Sequence, residues 1–154
     1  MPTLALKTIW QKWRDILEKD EAIEQCCQSK YGKSLTVYVG INRKNPPKAE
    51  NCPFAVILPG AKVEGEDVGE FIYSLTVGWA IANENMTGNE LDGIGECDDL
   101  GQLILTALVE ANPNYPASSI NYDINPVDFF PQIVGEMLIE LTITPVIGVE
   151  TIKY

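Results

Sequence analysis

The segment from Glu70 to Asn83 alternates strictly between two kinds of residue. Every odd position from Phe71 to Ile81 is large and apolar, and the even positions from Ser74 to Ala82 are small or polar. A period of two over this length predicts one long strand with one face in a hydrophobic core. The other face is predicted to be flat and smooth, which suits contact with another layer of protein better than a substrate pocket.

Two other stretches have the three- and four-residue spacing of amphipathic helices. The first is predicted over Thr3–Gln28, with Thr3 as its N-cap and Gly32 just beyond its end as a left-handed residue. The second is predicted over about Asp98–Ala111, with Glu96 as an alternative start. The apolar stripe of the first helix comprises Leu6, Ile9, Trp13, Ile16, Leu17, Ile23 and Cys27, and that of the second comprises Cys97, Leu100, Ile104, Ala107, Leu108 and Ala111.

Four shorter segments are alternating or continuously apolar and are predicted to be strands. They are Ser34–Ile41, Pro53–Pro59, Ser118–Asn125 and Gly135–Thr144. The segments between the predicted helices and strands are polar or rich in glycine and proline, which predicts loops and turns. They are Asn42–Cys52, Gly60–Gly69, Asn83–Gly95 and Asn125–Pro131. The tail from Pro145 is predicted either to extend the sheet or to reach a neighbour.

The predicted order of elements is α-β-β-β-α-β-β. Strands in consecutive runs with two helices predict an α+β fold, in which an antiparallel-rich mixed sheet is covered by the two helices. A chain of 154 residues without repeats or linkers is the size of one domain, so residues 1–154 are predicted to form a single domain. No apolar run reaches the roughly 18 residues of a membrane span, and the N-terminus does not resemble a signal peptide. We therefore expect a cytoplasmic protein without membrane contact.

Charge is divided unevenly along the chain. Residues 1–48 contain nine Lys or Arg and five Asp or Glu, whereas residues 49–154 contain two and seventeen. An acidic body disfavours direct nucleic-acid binding, because phosphate contacts depend on Lys and Arg. The acidity has two interpretations: it provides solubility alone, or it forms a surface that repels nucleic acid passing nearby.

No recognisable catalytic constellation occurs in the sequence, and a Ser–Lys or paired-carboxylate site is the alternative left open. The chain has no histidine, which removes the commonest base for nucleophilic catalysis and most zinc sites. It has no phosphate-binding loop and no dinucleotide fingerprint. The spacing of the four cysteines is not that of a metal site. We expect free thiols, with Cys97 and one of Cys26 and Cys27 in the core. A disulfide between Cys52 and Cys97 is an alternative. The sequence therefore predicts a protein that is not an enzyme and has no cofactor or metal.

Two polar loops are the candidate interaction sites. Arg43, Lys44 and Lys48 form the densest basic cluster in the chain, on a loop stiffened by two prolines. Their interpretation is either a solvated loop or a docking site for an acidic partner, including a second copy of this acidic chain. Asn85 and Asn89, in the loop Asn83–Gly95, extend this prediction. The carboxylates of Asp92–Asp99 are an alternative calcium site, although their spacing differs from the EF-hand loop.

The whole layout resembles bacteriophage tail terminator proteins and related minor tail or tail-completion proteins. The resemblance is carried by LKTIWQKWRDIL, PFAVILP, FIYSLTVGWAIAN, DDLGQLILTALVEANP and EMLIELTITPVIG, in that order. It implies a non-enzymatic ring, a hexamer, that caps the head-proximal end of the tail tube. Its implied partners are other copies of itself, the tail tube protein and a head-completion protein, and its implied location is the bacterial cytoplasm during assembly and then the virion tail.

Three alternatives to a tail terminator remain open on the sequence. The first is another virion connector or baseplate subunit. The second is a small enzyme or calcium-binding protein that uses the carboxylates of Asp92–Asp99. The third is a ligand-binding module, which requires a deep apolar pocket that the sequence does not announce.

Overall fold

The computed structural model describes residues 5–64, 71–110 and 117–143. Within these residues it forms three α-helices, a five-stranded mixed sheet and a small two-stranded hairpin. The helices are α1 (Leu6–Lys19), α2 (Glu21–Tyr31) and α3 (Asp92–Glu110). The strands are β1 (Thr36–Val39), β2 (Phe54–Glu64), β3 (Phe71–Ala82), β4 (Met86–Thr87), β5 (Glu90–Leu91), β6 (Ala117–Asn125) and β7 (Gln132–Ile143).

The large sheet has the strand order β1-β2-β3-β7-β6. The first pair, β1 and β2, is parallel, and the other three pairs are antiparallel. The central pair β3–β7 is in continuous register from Phe71 opposite Ile143 to Ala82 opposite Gln132. The predicted α+β class and the antiparallel-rich mixed sheet are therefore confirmed, whereas the predicted number of helices is wrong.

The hydrophobic core lies between the sheet and the helices. All six odd-numbered residues of β3 from Phe71 to Ile81 are buried, as the period of two predicted. The odd-numbered residues of β7 are buried on the same face. Helix α1 lies over β1 and β2, and α3 lies over β3, β7 and β6. The opposite face of the sheet is not covered by any α-helix in the part of the chain that the structure describes.

The tightest packing in the core surrounds Trp79. Its indole N–H donates to the carbonyl oxygen of Cys97 in α3 at 2.8 Å, which satisfies its one buried polar group. Its ring lies against Gly135 of β7 and Gly101 of α3, where the β-carbon of any other residue would overlap the indole. Tyr122 of β6 packs on the same ring, with ring centroids 5.3 Å apart. One large side chain therefore joins three strands to α3.

The predicted N-terminal helix is two helices, which is a correction. The chain leaves helical geometry at Asp20, with φ −68° and ψ 122°, and the Asp20 carboxylate accepts from the N–H of Ile23 at 3.0 Å. Asp20 is thus the N-cap of α2, a role that aspartate fills well. The apolar spacing continues across the break, which explains why it predicted one helix. The left-handed Gly32, with φ 67°, is confirmed, and Thr3 lies outside the described residues.

The loop predicted over Asn83–Gly95 is also corrected. It contains the hairpin β4–β5 and the first turn of α3, which begins at Asp92 rather than near Asp98. Gly93 and Gly95 lower the intrinsic helix propensity of this stretch, but the buried positions Gly93 and Cys97 tie it to the core. The buried stripe of α3 is confirmed from Cys97 to Leu108, and the predicted end at Ala111 lies outside the described residues.

Strand bounds differ mainly in β1 and β2. The first strand is shorter than Ser34–Ile41, and the second runs on to Glu64 instead of ending at Pro59. This extension includes a bulge between Pro59 and Lys62, where the Ser74 hydroxyl accepts from the N–H of Ala61 at 3.0 Å. The remainder of the turn predicted over Gly60–Gly69 and the tail from Pro145 lie outside the described residues.

All four cysteines have free thiols, and Cys27, Cys52 and Cys97 are buried. The alternative disulfide Cys52–Cys97 is therefore absent, and the expected core positions of Cys97 and one member of the adjacent pair are confirmed. Among the helices that the structure describes, none combines the length and the apolar character that a membrane crossing requires.

A matched pair of substitutions tests the packing around Trp79. We expect Gly101→Ala to destabilise the protein, because its new methyl group would overlap Trp79 and the Tyr122 hydroxyl. Overpacking costs about 1–3 kcal/mol, which outweighs the gain in helix propensity of at most about 1 kcal/mol. The control Gly95→Ala lies in the same helix with open space around its new methyl group, and should be stabilising. Urea unfolding would measure the free energy of unfolding of both variants. Equal effects would contradict this account.

Candidate functional site

The uncovered face of the sheet carries an apolar groove of about 520 Å³. Its floor is formed by the even-numbered residues of three adjacent strands: Phe54, Val56 and Leu58 of β2, Thr76, Gly78 and Ala80 of β3, and Val134 of β7. The even positions of β3 from Ser74 to Ala82 are small or polar, but larger side chains on the neighbouring strands and two flanking loops make the surface concave. The prediction of a flat, smooth face is thus wrong in shape.

One wall of the groove is the loop that connects the parallel strands β1 and β2, residues 40–53, which we call the crossover loop. Ile41, Pro46, Pro47 and Lys48 line the groove from this side. The loop is tied down by local contacts: the side chain of Asn42 accepts from the N–H of Lys44 at 3.0 Å, and that of Asn51 accepts from the N–H of Lys48 at 2.8 Å. The wall is therefore built from an ordered hydrogen-bonded loop.

The crossover loop is also anchored to the rest of the molecule. The Lys33 ammonium donates to the carbonyl oxygen of Glu50 at 2.8 Å. Near the end of the loop, Cys52 belongs to a second apolar cluster with Phe54, Val56 and Ala80. Tyr38 packs edge-on against Phe54, with 5.9 Å between the ring centroids. This second cluster lies on the groove side of the sheet and holds the wall against the floor.

The opposite wall is the turn between β6 and β7, residues 126–131, which we call the aromatic turn. The Asn125 side-chain oxygen accepts from the N–H groups of Val127 and Asp128, each at 3.1 Å, and its amide nitrogen donates to the Asp128 carboxylate at 2.9 Å. Such side-chain bonds fix the conformation of a turn. The turn nevertheless exposes three large apolar side chains: Val127 is 73% exposed, Phe129 55% and Phe130 53%.

The predicted interaction residues are only partly brought together. Arg43, Lys44 and Lys48 are exposed on the crossover loop, and Lys48 lines the groove. Asn85 and Asn89 lie on the β4–β5 hairpin, are exposed, and are not among the residues that line the groove. Within the described residues, none of the three cations of the crossover loop forms an ion pair with an acidic side chain.

The aromatic turn was missed by the sequence analysis, which treated it only as a turn. A signal was available, since Val127, Phe129 and Phe130 place large apolar residues between two prolines without a strand or helix to bury them. Their exposure becomes apparent only when the turn is seen at the edge of the groove. Clustered exposed apolar side chains are typical of interaction sites.

Charge is divided across the sheet as well as along the chain. Residues 5–64, which form α1, α2, β1, the crossover loop and β2, contain ten Lys or Arg and seven Asp or Glu. Residues 71–143, which include α3 and the other strands, contain no Lys or Arg and eleven Asp or Glu. Helix α1 covers β1 and β2, whereas α2 packs against α3, which covers β3, β7 and β6. The side with α1, β1 and the crossover loop is therefore mildly basic, and the side with α3 is strongly acidic.

The carboxylates of Asp92–Asp99, the alternative calcium site, mostly make protein contacts. Glu96 accepts from the Tyr31 hydroxyl at 2.9 Å and from the Asn83 amide at 2.6 Å. Asp98 accepts from the Tyr122 hydroxyl at 2.7 Å, and Asp99 pairs with Lys30 at 3.2 Å. Burial raises the pKa of both tyrosine hydroxyls above the ordinary value. Among the described residues, no three Cys, Asp or Glu side chains are grouped as metal ligands.

Comparison with models of known protein families and with curated proteins finds no match for this chain.

The Cys52 thiol provides a test of the crossover loop as an ordered wall. Burial raises the pKa of this thiol to about 11. At neutral pH the fraction present as the reactive thiolate is therefore about a hundredfold smaller than for an ordinary cysteine. We expect alkylation of Cys52 by iodoacetamide to be at least about a hundredfold slower in the folded protein than in urea, as followed by peptide mass spectrometry. Similar rates in the two states would mean that the loop opens freely.

Proposed function

We propose that this chain is a structural subunit of a phage or prophage tail, and specifically a tail terminator that assembles into a ring. The ring, for which the resemblance implies a hexamer, caps the tail tube and joins it to the head. The observation that carries the proposal is the division of charge across the sheet, with a basic side at β1 and an acidic side at β6. The chain would act in the bacterial cytoplasm during assembly and remain in the virion tail.

Opposite charges on opposite sides favour one mode of self-association. Two copies placed head to tail bring a basic side against an acidic side. Two copies that meet through the same side bring like charges together. Head-to-tail contacts use two different surfaces of each subunit, and they form a ring when the rotation between subunits closes. A homo-oligomeric ring is therefore the assembly that this charge distribution supports.

The uncovered sheet face and its groove would serve the other contacts of a terminator. A sheet with helices on one face only leaves an apolar surface that a second protein layer can bury. In a tail, that layer would be the tail tube protein or the head-completion protein. Exposed carboxylates such as Asp123 and Glu136 would repel rather than hold passing DNA. A different connector or a baseplate subunit is the closest alternative, and a tail tube gene directly downstream would favour the terminator.

The groove itself favours a second candidate function, a module that binds a small apolar ligand. Its volume falls in the range of about 300–1,000 Å³ that is typical of ligand pockets, and its lining is mainly apolar. This candidate differs from a tail subunit because it requires no self-association.

Substitution of Gly78 separates these two functions. A side chain at Gly78 would rise from the groove floor, and its β-carbon would meet only the Gly135 carbonyl oxygen at an ordinary 3.6 Å. We expect Gly78→Val to fill part of the groove, to retain the fold, and to abolish binding of an apolar fluorescent dye while leaving self-association intact. Loss of both properties in a folded variant would contradict this expectation, because it would place the groove floor in the contact between subunits.

Self-association is the direct test of the proposed function. We expect light scattering behind a sizing column to show a ring-sized species, or monomers that convert to rings as concentration rises. Raising the salt from about 0.1 M to about 1 M shortens the Debye length from about 10 Å to about 3 Å and should weaken the association. A protein that stays monomeric at every concentration and does not bind the tail tube protein encoded beside it would overturn the proposal.

A further inference from the structure

The aromatic turn has the properties of a ready-made contact. Val127 and Phe130 project more than half of their surface into solvent, although most side chains of this size in the chain are buried. The Asn125 side chain holds the turn in one conformation through three hydrogen bonds. A surface that is ordered before it binds loses less conformational entropy on binding. The turn also carries Asp128, whose carboxylate has no cationic partner within the described residues.

The crossover loop carries the complementary chemistry. Arg43 and Lys44 are exposed cations, and Ile41, which is 46% exposed, places an apolar side chain beside them. Like the turn, the loop is held by its own hydrogen bonds, including Asn45 N–H to the Asn42 carbonyl oxygen at 3.0 Å. An acidic, apolar partner would match this loop in both respects, and the aromatic turn has this composition.

The two segments are also placed correctly for a head-to-tail contact. One row of paired residues, Phe54, Ala80, Val134 and Asn125, crosses the sheet at a single end. The crossover loop returns to the sheet at Phe54 and the aromatic turn leaves it at Asn125, so the end of the loop and the turn share this end of the sheet. The start of the loop, with Arg43 and Lys44, follows Val39, whose partner Ile57 is three residues along β2 from Phe54. Both also line the groove, which places them on the same face. They lie on opposite sides of the sheet, the loop beside β1 and the turn beside β6.

We propose that the aromatic turn of one copy docks on the crossover loop of the next copy, and that this contact links the subunits of the assembly head to tail. The proposal rests on the self-assembly argued above and adds the segments that perform it. Asp128 of one subunit faces Arg43 and Lys44 of its neighbour, and the apolar side chains of the turn cover Ile41. A turn-to-turn contact would instead oppose two Asp128 carboxylates, and a loop-to-loop contact would oppose cations.

Disulfide trapping tests the contact directly. In a Cys26→Ser background, which removes the one native cysteine that is not buried, we would prepare Asp128→Cys and Lys44→Cys as separate proteins and mix them under mild oxidation. We expect the mixed disulfide dimer to form about tenfold faster than in the control mixture of Glu90→Cys with Lys44→Cys, because docking raises the effective concentration of the two thiols. Equal rates in the two mixtures would overturn the proposal.

Charge reversal provides a second test of the contact. We expect Asp128→Lys to raise the dissociation constant of self-association on the order of tenfold, and the double substitution of Arg43 and Lys44 by Glu to do the same. Combining all three reversals should restore much of the affinity. The control Glu90→Lys changes the net charge as much as Asp128→Lys does, but lies on the β4–β5 hairpin, and should have a smaller effect.

Two further variants keep the test interpretable. Asp128→Asn retains a side-chain oxygen that can accept from Asn125, so it removes charge without removing the turn's hydrogen bond. Val127→Ser should weaken association more than Val109→Ser, which makes the same change at an exposed position on α3. If the wild type associates and folded turn variants associate equally well, this contact is wrong and the proposed function stands. If the wild type neither associates nor binds the tube protein, both are wrong.

Discussion

The Trp79 indole determines how closely the sheet and α3 approach each other. It lies against Gly135 of its neighbouring strand and Gly101 of the helix, and it donates a hydrogen bond to the Cys97 carbonyl oxygen. Interiors are packed so densely that one additional carbon at either glycine has to displace something. Because this contact seats α3 over β3, β7 and β6 while α1 covers β1 and β2, the helices occupy one face of the sheet. The other face is left to the two loops and the groove.

This one-sided arrangement accounts for the unusual features of the surface. With no α-helix over the outer face in the described residues, the apolar side chains of β2 and β7 there are covered only by the crossover loop and the aromatic turn. These loops protect Cys52 and Phe54 but leave Val127 and Phe130 exposed. The same layering sorts the charges, since the cations of α1 and the crossover loop stay on the β1 side and the anions of the second half of the chain collect on the β6 side. The assembly proposed above would use both features.

Local patterns predicted those elements whose signal is local. The alternation in β3 and the helical spacing around Trp13 and Leu100 each identified the buried face correctly, because burial of one face imposes a period on the sequence. The break at Asp20 was missed because the apolar spacing continues across it, although an aspartate before Ile23 is a recognisable N-cap. The first turn of α3 was missed because Gly93 and Gly95 are poor helix formers, and contacts with the core override that preference.

The amino-acid sequence by itself determined the α+β class, the buried faces of the long strands and helices, the free thiols in the core, and the accumulation of cations in the first third of the chain. These properties depend on composition or on residues a few positions apart. Only the tertiary structure decided that β7 lies between β3 and β6, and this placement sets the aromatic turn and the crossover loop on one sheet face, on opposite sides of the groove. Pairing between residues that are 50 to 72 positions apart has no local period, so the groove and its two walls emerge only when the chain folds.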